Sequence, residues 1–315
     1  MAEATTPVTD GWSRNRLLAI LASAGVVALF LVGGFGYAIY LGIHSAITGT
    51  SPGEQPTLSS KEMNSTTARG DAYRDKIAAQ PMLSVDEDAM KPTTPTTQLA
   101  KPILIPEATS TGADDVPTGF PHTPQGAIGQ LAAMSQTVLS SMSVSTATHV
   151  YDDWAMSGGV GADQWQMTTN VTSFLGAAGQ TSTKDPSTSV TAIPLGAQIK
   201  GTDGPDWTVA CVEFEVDATI TIESSIGYGY CERMQWSTDS PNPAGGRWMI
   251  APGTPPELAP STWPGSAAAL KAGWLTWTTA PAAVRTEKSA ANAPDNPSGG
   301  PAGDSAGSTG DSAAN

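Results

Sequence analysis

One stretch near the start of the chain restricts the fold more than any other. From Leu17 to Ile43 the sequence runs for 27 residues without a charged side chain. About 20 helical residues are enough to cross the hydrocarbon core of a bilayer. The stretch is also longer than the roughly 7 to 15 apolar residues of a cleaved secretory signal. The sequence therefore predicts an uncleaved transmembrane helix over residues 17–43.

The charges on either side of this helix predict its direction. Arg14 and Arg16 precede it directly, whereas the first Lys or Arg after it is Lys61. Because positive residues stay on the cytoplasmic side, we expect residues 1–16 to form a short cytoplasmic segment. No second apolar run of spanning length follows in the sequence. We therefore expect a single-pass protein of the cell membrane that contacts the lipid bilayer through one helix and has its C-terminal domain outside the cytoplasm.

Small residues recur along one side of the predicted membrane helix. Gly34, Ala38 and Gly42 are spaced four apart, which places them on one helix face. Small residues at this spacing let two membrane helices approach closely. The pattern predicts self-association of the helix, although many membrane helices carry it.

Two segments have the composition of unfolded polypeptide. Residues 45–118 are rich in Ser, Thr and Pro, and residues 285–315 consist mainly of Gly, Ser, Ala, Pro, Asn and Asp. Such sequences bury too little apolar surface to offset the entropy lost on ordering. We predict a mostly disordered extracytoplasmic linker and a disordered C-terminal tail. Within the linker, the proline-free residues 60–79 are predicted to form a transient or partner-dependent helix.

The remaining residues, 119–284, are long enough for one domain with a sizeable core. The first half of this domain shows the helical period. Thr123 supplies a capping oxygen for a helix over residues 124–142, whose apolar residues share one face. Two shorter helices are predicted after it, the last from about residue 163 to residue 178. Three helices therefore precede any strand in this domain.

The second half of the domain changes to a period of two. From residue 210 to residue 222 apolar side chains occupy the even positions, and polar ones occupy most odd positions. Residues 226–236 repeat the pattern, and further strands are predicted over residues 190–200 and 247–251. Such strands bury one face and expose the other. The predicted class is α+β, with helices packed on one face of a curved antiparallel sheet.

The chain contains two cysteines, Cys211 and Cys231, and the predicted topology places both where a disulfide persists. A hairpin that turns at Ser224 leaves them about six residues out of register, whereas the Cα atoms of bridged cysteines lie within about 7 Å. A bridge therefore needs an earlier break near Asp217, or a bulge. We expect the bridge, because two exposed free thiols outside a cell are unusual.

Histidines offer little support for a reactive centre. His149 lies three and four residues before Asp152 and Asp153, a spacing that suits a metal site or an acid and base pair on a helix. A single His without a second one nearby rarely makes a metal site, so the wet side of an amphipathic helix explains these residues better. His122 precedes the Thr123 cap, and entry into the helix explains it.

Three carboxylates alternate along one predicted strand. Glu213, Glu215 and Asp217 are roughly 7 Å apart, a separation that the paired carboxylates of glycosidases also use. Simple alternation predicts the same residues on a solvated face, which is the interpretation we favour. The sequence also has no phosphate loop and no paired Cys-x-x-Cys. We therefore predict a protein that is not an enzyme, with no catalytic residue, cofactor or metal.

Charge and aromatic content restrict the partners. Residues 119–284 contain five basic and thirteen acidic side chains, so direct nucleic-acid binding by this domain is not expected. Trp263, Trp274 and Trp277 cluster near the end of the domain. Large aromatics mostly pack cores, but exposed ones bind sugars or anchor protein interfaces. Cell-wall glycan is therefore an alternative partner.

Several segments carry a resemblance to known proteins, namely residues 75–82, 119–126, 130–133, 210–211, 231–236, 247–253 and 263–265. In these segments the chain resembles single-pass proteins of conjugative elements from high-GC Gram-positive bacteria. The order of parts is also similar to the bitopic assembly factors of type IV secretion, whose extracytoplasmic domain resembles the nuclear transport factor 2 fold.

That resemblance implies helices on a curved sheet, and a domain that serves as a contact surface rather than as an active site. The implied function is a non-enzymatic, membrane-anchored structural component of a conjugative, type IV secretion-like channel. Its implied partners are further copies of the chain and other channel subunits. The alternative from another class is an extracytoplasmic module that binds cell-wall glycan or another partner.

Overall fold

The computed structural model describes residues 64–65, 68–239 and 245–280. Three predicted features lie outside these residues: the cytoplasmic segment 1–16, the membrane helix 17–43 with Gly34, Ala38 and Gly42, and the tail 285–315. Within the described part of the chain, no helix is long and apolar enough to cross a membrane.

The described residues form five α-helices and nine strands. The helices are α1 (Asp71–Ala78), α2 (Pro124–Ser141), α3 (Val144–Trp154), α4 (Gln166–Ala177) and α5 (Ala267–Ala272). The strands are β1 (Asn64–Ser65), β2 (Pro102–Pro106), β3 (Ser110–Thr111), β4 (Pro117–Thr118), β5 (Ser189–Asp203), β6 (Trp207–Thr219), β7 (Glu223–Ser237), β8 (Arg247–Ile250) and β9 (Leu275–Ala280).

Seven of the described strands form one curved half-barrel sheet in the order β2-β9-β5-β6-β7-β8, with β1 beside β5. Strands β5 to β8 are antiparallel, and β2 joins the edge parallel to β9. Register shifts in β5 next to Gly196 and Gly201 mark bulges, which bend a strand and increase its twist. Helices α2, α3 and α4 pack on the inner face of this sheet. The predicted α+β class, with helices packed on a curved antiparallel sheet, is confirmed.

Helix α2 is the centre of the inner core. The Thr123 hydroxyl accepts a hydrogen bond from the Gly126 amide at 3.1 Å, as predicted for the cap, and Met142 ends the helix in the left-handed conformation. Ile128 and Leu131 are fully buried against the sheet. The predicted helix over residues 124–142 is confirmed, because its capping and periodicity signals are local and agree.

The outer face of the sheet is also covered, which strand alternation did not predict. Helix α1 and residues 251–274 pack across β6 and β7, and we call them the outer cover. A second hydrophobic cluster joins them to the sheet; it includes Tyr73, Ile77, Trp207, Cys231 and Trp274. The sheet is therefore buried on both faces over its central hairpin, and exposure returns toward β5, β9 and β2.

Residues 68–118 differ from the linker that their composition predicted. Helix α1 begins after Gly70, and its start is held by Asp203, a fully buried carboxylate. Asp203 accepts hydrogen bonds from the backbone amides of Arg69 and Gly70 and from Nε of Arg74 at 2.8 Å. Charged anchors of this kind stabilise a segment that has few apolar residues, so average composition misses them.

Cys211 and Cys231 are joined by a disulfide, with their Cα atoms 4.0 Å apart. They lie directly opposite each other in the register of β6 and β7. The last pair of this hairpin is Thr219 with Glu223, so the turn lies three residues earlier than the predicted turn at Ser224. The expected bridge is present, but the expected break near residue 217 or bulge was wrong, because a centred hairpin aligns the cysteines without either.

Candidate functional site

A cavity of about 130 Å³ opens on the outer face of the sheet. Strands β5 and β9, helix α5 and residues 95–100 meet there. Its walls are mostly apolar, and Gly196 and Gly265 leave room because they have no side chain. The apolar lining includes Leu99, Ala100, Leu195, Leu270, Trp274 and Leu275.

Glu213 is the ionisable side chain among the described residues that line this cavity. It is 1% exposed and lies on β6 directly opposite Gly196 on β5. Its Oε1 accepts a hydrogen bond from the Thr262 hydroxyl of the outer cover. A Cβ on residue 196 would lie 2.6 Å from Oε2, so glycine is required for the carboxyl group to occupy this place. Oε2 therefore lies against the cavity wall.

The cavity changes the protonation of this group. Burial raises the pKa of Glu213 to about 8, and the hydrogen bond from Thr262 lowers it by less than burial raises it. At pH 7 the carboxyl group is therefore mostly neutral and can donate a hydrogen bond into the cavity. The sequence placed Glu213 on a solvated face, and this prediction was wrong because alternation cannot distinguish water from a covering segment.

Two further carboxylates continue from Glu213 along the same face of β6. Glu215 and Asp217 are both partly exposed, and Glu215 lies opposite Ile193 of β5. Burial raises the pKa of Glu215, and the neighbouring charge of Asp217 raises it further. The three carboxylates thus run from a buried cavity out to solvent at the spacing of alternate strand residues.

Exposed apolar side chains lie near the cavity, on β2, on β5 and in residues 95–100. We define the outer-face patch as Leu99, Leu104, Ile193 and Leu195, which are 90%, 57%, 47% and 38% exposed. Leu104 lies on β2 between the buried Ile103 and Ile105, so its side chain points away from the inner core. Leu99 and Leu195 also line the cavity, so the patch borders the cavity at these two residues.

A second buried glutamate lies on the inner face of the same hairpin. Glu232 is 6% exposed, and its Oε2 accepts hydrogen bonds from the Tyr230 hydroxyl at 2.6 Å and from Trp165 Nε1 at 3.2 Å. Its Oε1 accepts from the Arg233 amide at 2.9 Å. Burial raises the pKa of Glu232, and these donors lower it. The adjacent space is about 20 Å³, room for about one water molecule.

The structure does not assemble the histidine and aspartate residues into a metal site. His149, Asp152 and Asp153 are exposed on α3. The described residues contain no group of three or more His, Cys, Asp or Glu side chains that could hold a metal ion. Burial raises the pKa of Asp114, and the neighbouring Asp153 raises it further.

His122 and the tryptophans have structural contacts that the sequence did not specify. His122 stacks on Trp236 with ring centres 4.3 Å apart, and its Nε2 lies 2.7 Å from Oδ1 of Asp206. Trp274 is buried in the outer cover, and Trp263 and Trp277 are partly buried. Core packing, the interpretation favoured from the sequence, therefore accounts for Trp274.

Sequence reasoning missed Thr262 and Gly196, which define the cavity with Glu213. A signal was present in β7, where Gly229 and Gly227 lie opposite Glu213 and Glu215. The backbone of residues 260–263 lies directly over these two glycines, so a side chain at either would collide with it. Alternating glycines opposite alternating carboxylates thus indicate that another backbone approaches that face closely.

The fold and the site together define a disulfide-bonded α+β domain with a carboxyl group at the base of an apolar cavity. Comparison with known proteins adds no family to this description. No family model matches the chain, and neither a curated protein nor a solved structure is significantly similar to it.

Proposed function

We propose that this chain is a membrane-anchored, non-enzymatic assembly component of a conjugative, type IV secretion-like channel. Its domain serves as a contact module outside the cytoplasm. The observation that supports this proposal is the outer-face patch, which leaves large apolar side chains in water beside an otherwise covered sheet. Contiguous exposed apolar surface marks protein interaction sites in soluble domains.

The patch suits face-to-face contact rather than strand addition. Leu104 lies on β2, an edge strand that begins at Pro102 and ends at Pro106. Proline cannot donate a ladder hydrogen bond, and prolines at both ends of a short strand discourage a further strand from pairing with it. The side chains that project from the sheet are therefore the part that a partner contacts.

The disulfide supports the proposed location. Bridges such as Cys211–Cys231 persist in oxidising compartments and are rare where thiols are kept reduced. This agrees with the direction expected from Arg14 and Arg16. We propose that the helices packed on a curved sheet correspond to the nuclear transport factor 2-like arrangement of secretion assembly factors, and that the likeness extends to their role as scaffolds.

The chemistry of the cavity supports the non-enzymatic part of the proposal. A neutral Glu213 donates a hydrogen bond, but the described lining residues offer it no base, metal ligand or nucleophile pair. Such a site can bind a chemical group of a partner without reacting with it, and specific binding of a partner is what an assembly module requires.

Photo-crosslinking in native membranes tests this proposal. A crosslinking amino acid replaces Ile193 or Leu104 in the full chain, expressed in cells that carry the conjugative element. The matched control carries the same probe at Asp152, an exposed residue on the helix side. Crosslinks from the patch sites to channel subunits or to a second copy are expected, and the control site should give few. A monomer without channel neighbours at either patch site would overturn the proposal.

Glycan binding is the second candidate, and the aromatic cluster at His122 favours it. His122 stacks on the partly exposed Trp236, and Trp248 meets both rings edge-on. Sugars pack their apolar faces on such rings. Retention of the full chain on purified peptidoglycan, lost in Trp236→Ala and kept in Ile193→Thr, would support this function instead.

A further inference from the structure

The cavity at Glu213 has the size of one side chain. Its volume is about 130 Å³. An engineered apolar cavity of about 150 Å³ holds benzene, which has six heavy atoms. A lysine side chain has five heavy atoms, and an arginine side chain has seven with a broad planar end. The space therefore suits a narrow, unbranched chain.

The chemistry of the walls changes along the depth of the cavity. Leu99, Leu195, Leu270 and Trp274 provide apolar contacts for a methylene chain. Glu213 provides the buried oxygen Oε2 against Gly196, since Oε1 is bound by Thr262. Long cationic side chains pack their methylenes on apolar surface and place the charge at a polar group. An ammonium donates three hydrogen bonds from a compact point, whereas a guanidinium requires five acceptors.

We infer that the cavity binds a lysine side chain of the partner that docks on the outer-face patch. This inference rests on the proposed function, and it names the chemistry of the partner. Charge complementarity supports it, because Glu215 and Asp217 extend the acidic character of β6 beyond the cavity. The domain as a whole carries thirteen acidic and five basic side chains over residues 119–284. A basic segment with apolar neighbours matches this surface.

Binding of an ammonium requires Glu213 to lose its proton, so affinity depends on pH. The pKa of Glu213 in the free protein is raised to about 8 by burial, and each pH unit below that value weakens binding about tenfold. The other charged groups nearby are Glu215 on β6, Lys271 on α5 and Lys101 after residues 95–100. The two lysines are exposed. A neutral hydrogen-bond acceptor in the cavity gives the opposite dependence, because it needs the protonated carboxyl group.

The test measures peptide binding to the full chain in detergent micelles by calorimetry at pH 6.5 and pH 8. The probe is the capped peptide Thr-Leu-Lys-Leu-Thr. Two matched peptides replace lysine by norleucine, which keeps the stem without the ammonium, or by arginine. We expect the lysine peptide to bind roughly fifteenfold more tightly at pH 8 than at pH 6.5. The norleucine peptide should bind at least tenfold more weakly at pH 8.

Variants assign the effect to the cavity. Glu213→Gln keeps the shape of the side chain and should weaken lysine-peptide binding at least tenfold at pH 8 while removing the pH dependence. Glu215→Gln is the matched control on the same strand face and should change affinity less than threefold. Equal affinity for lysine and norleucine peptides, affinity that falls as the pH rises, or no binding of the lysine peptide would each overturn the inference.

The two proposals fail separately. Crosslinks from Leu104 or Ile193 without any Glu213-dependent peptide binding would contradict the lysine site and leave the assembly function standing. Peptide binding that needs Glu213 in a protein with no crosslinked neighbours would establish the site and contradict the assembly function.

Discussion

The two faces of the β6–β7 hairpin each bury a glutamate, but the two glutamates differ in their hydrogen bonds and in the space beside them. On the inner face Glu232 receives hydrogen bonds from Tyr230, Trp165 and the Arg233 amide, and the space beside it is about 20 Å³. On the outer face Glu213 receives one hydrogen bond from the described residues, from the hydroxyl of Thr262, beside about 130 Å³ of open space. Burial raises the pKa of both groups.

This difference separates burial from unused binding capacity. A buried carboxyl whose oxygens are all engaged stabilises the packing around it and has nothing left to offer a ligand. A buried carboxyl group with one oxygen against an open cavity has lost its contacts with water, and hydrogen bonds from the protein replace only part of them. Glu232 therefore belongs to the core, whereas Glu213 marks the place where a partner can supply what the fold does not.

The largest expected effect is a loss of stability with rising pH that depends on Glu213. Its pKa rises from an ordinary value of 4.5 to about 8 on folding. The stability that the neutral Glu213 carboxyl group contributes is therefore fully present below pH 4.5. It is lost as the pH rises to 8, by roughly 4 kcal/mol in the free energy of unfolding, at about 1.4 kcal/mol per pH unit. Denaturant unfolding of the wild type and of Glu213→Gln across this range measures it. Glu232 contributes in the same direction in both proteins, so equal pH slopes would contradict the contrast.

Removal of the disulfide should have the next largest effect. Cys211 and Cys231 are 20 residues apart, and a loop of that length corresponds to about 3 kcal/mol of stabilisation in the chain-entropy model. The bridge lies in the outer hydrophobic cluster beside Met82, so its loss should loosen the outer cover before the inner core. Hydrogen exchange of the Cys211→Ala, Cys231→Ala protein should show faster exchange in α1 than in α2. Equal acceleration in both helices would contradict this order.

Glutamine at the two buried positions should give unequal results at pH 5. Glu232→Gln puts an amide NH₂ among three donors, from Tyr230, Trp165 and Arg233, and leaves at least one without an acceptor, at a cost of about 1–3 kcal/mol. Glu213→Gln replaces a neutral acid by a neutral amide that still accepts from Thr262, so it should be nearly neutral at this pH. Thermal unfolding of the two variants provides the comparison. Equal decreases of Tm in the two variants would contradict the inference that Glu232 is fully hydrogen-bonded and Glu213 is not.

The same two faces explain what the sequence could predict. The inner face follows from local signals, such as the Thr123 cap, the helical period of α2 and the alternation in β6 and β7. The outer cover depends on polar contacts between distant residues. Asp203, which holds the start of α1, is 129 residues away in sequence from its partner Arg74. Thr262 is 49 residues away in sequence from its partner Glu213. A pattern of period two reports that two faces differ in polarity, but not that a distant segment covers the polar one.

The smallest expected effect on stability tests the outer-face patch itself. Leu104 and Ile193 are 57% and 47% exposed, so Leu104→Thr and Ile193→Thr should each change the free energy of unfolding by under about 0.5 kcal/mol. Threonine keeps the strand propensity of both positions while it removes most of the apolar contact surface. If the patch is a docking surface, the double variant loses its crosslinked partners in membranes although its fold is unchanged. A double variant with full crosslinking from a probe at Leu195 would show that the partner does not depend on the side chains of Leu104 and Ile193, and the cavity at Glu213 would then have to recognise its ligand without them.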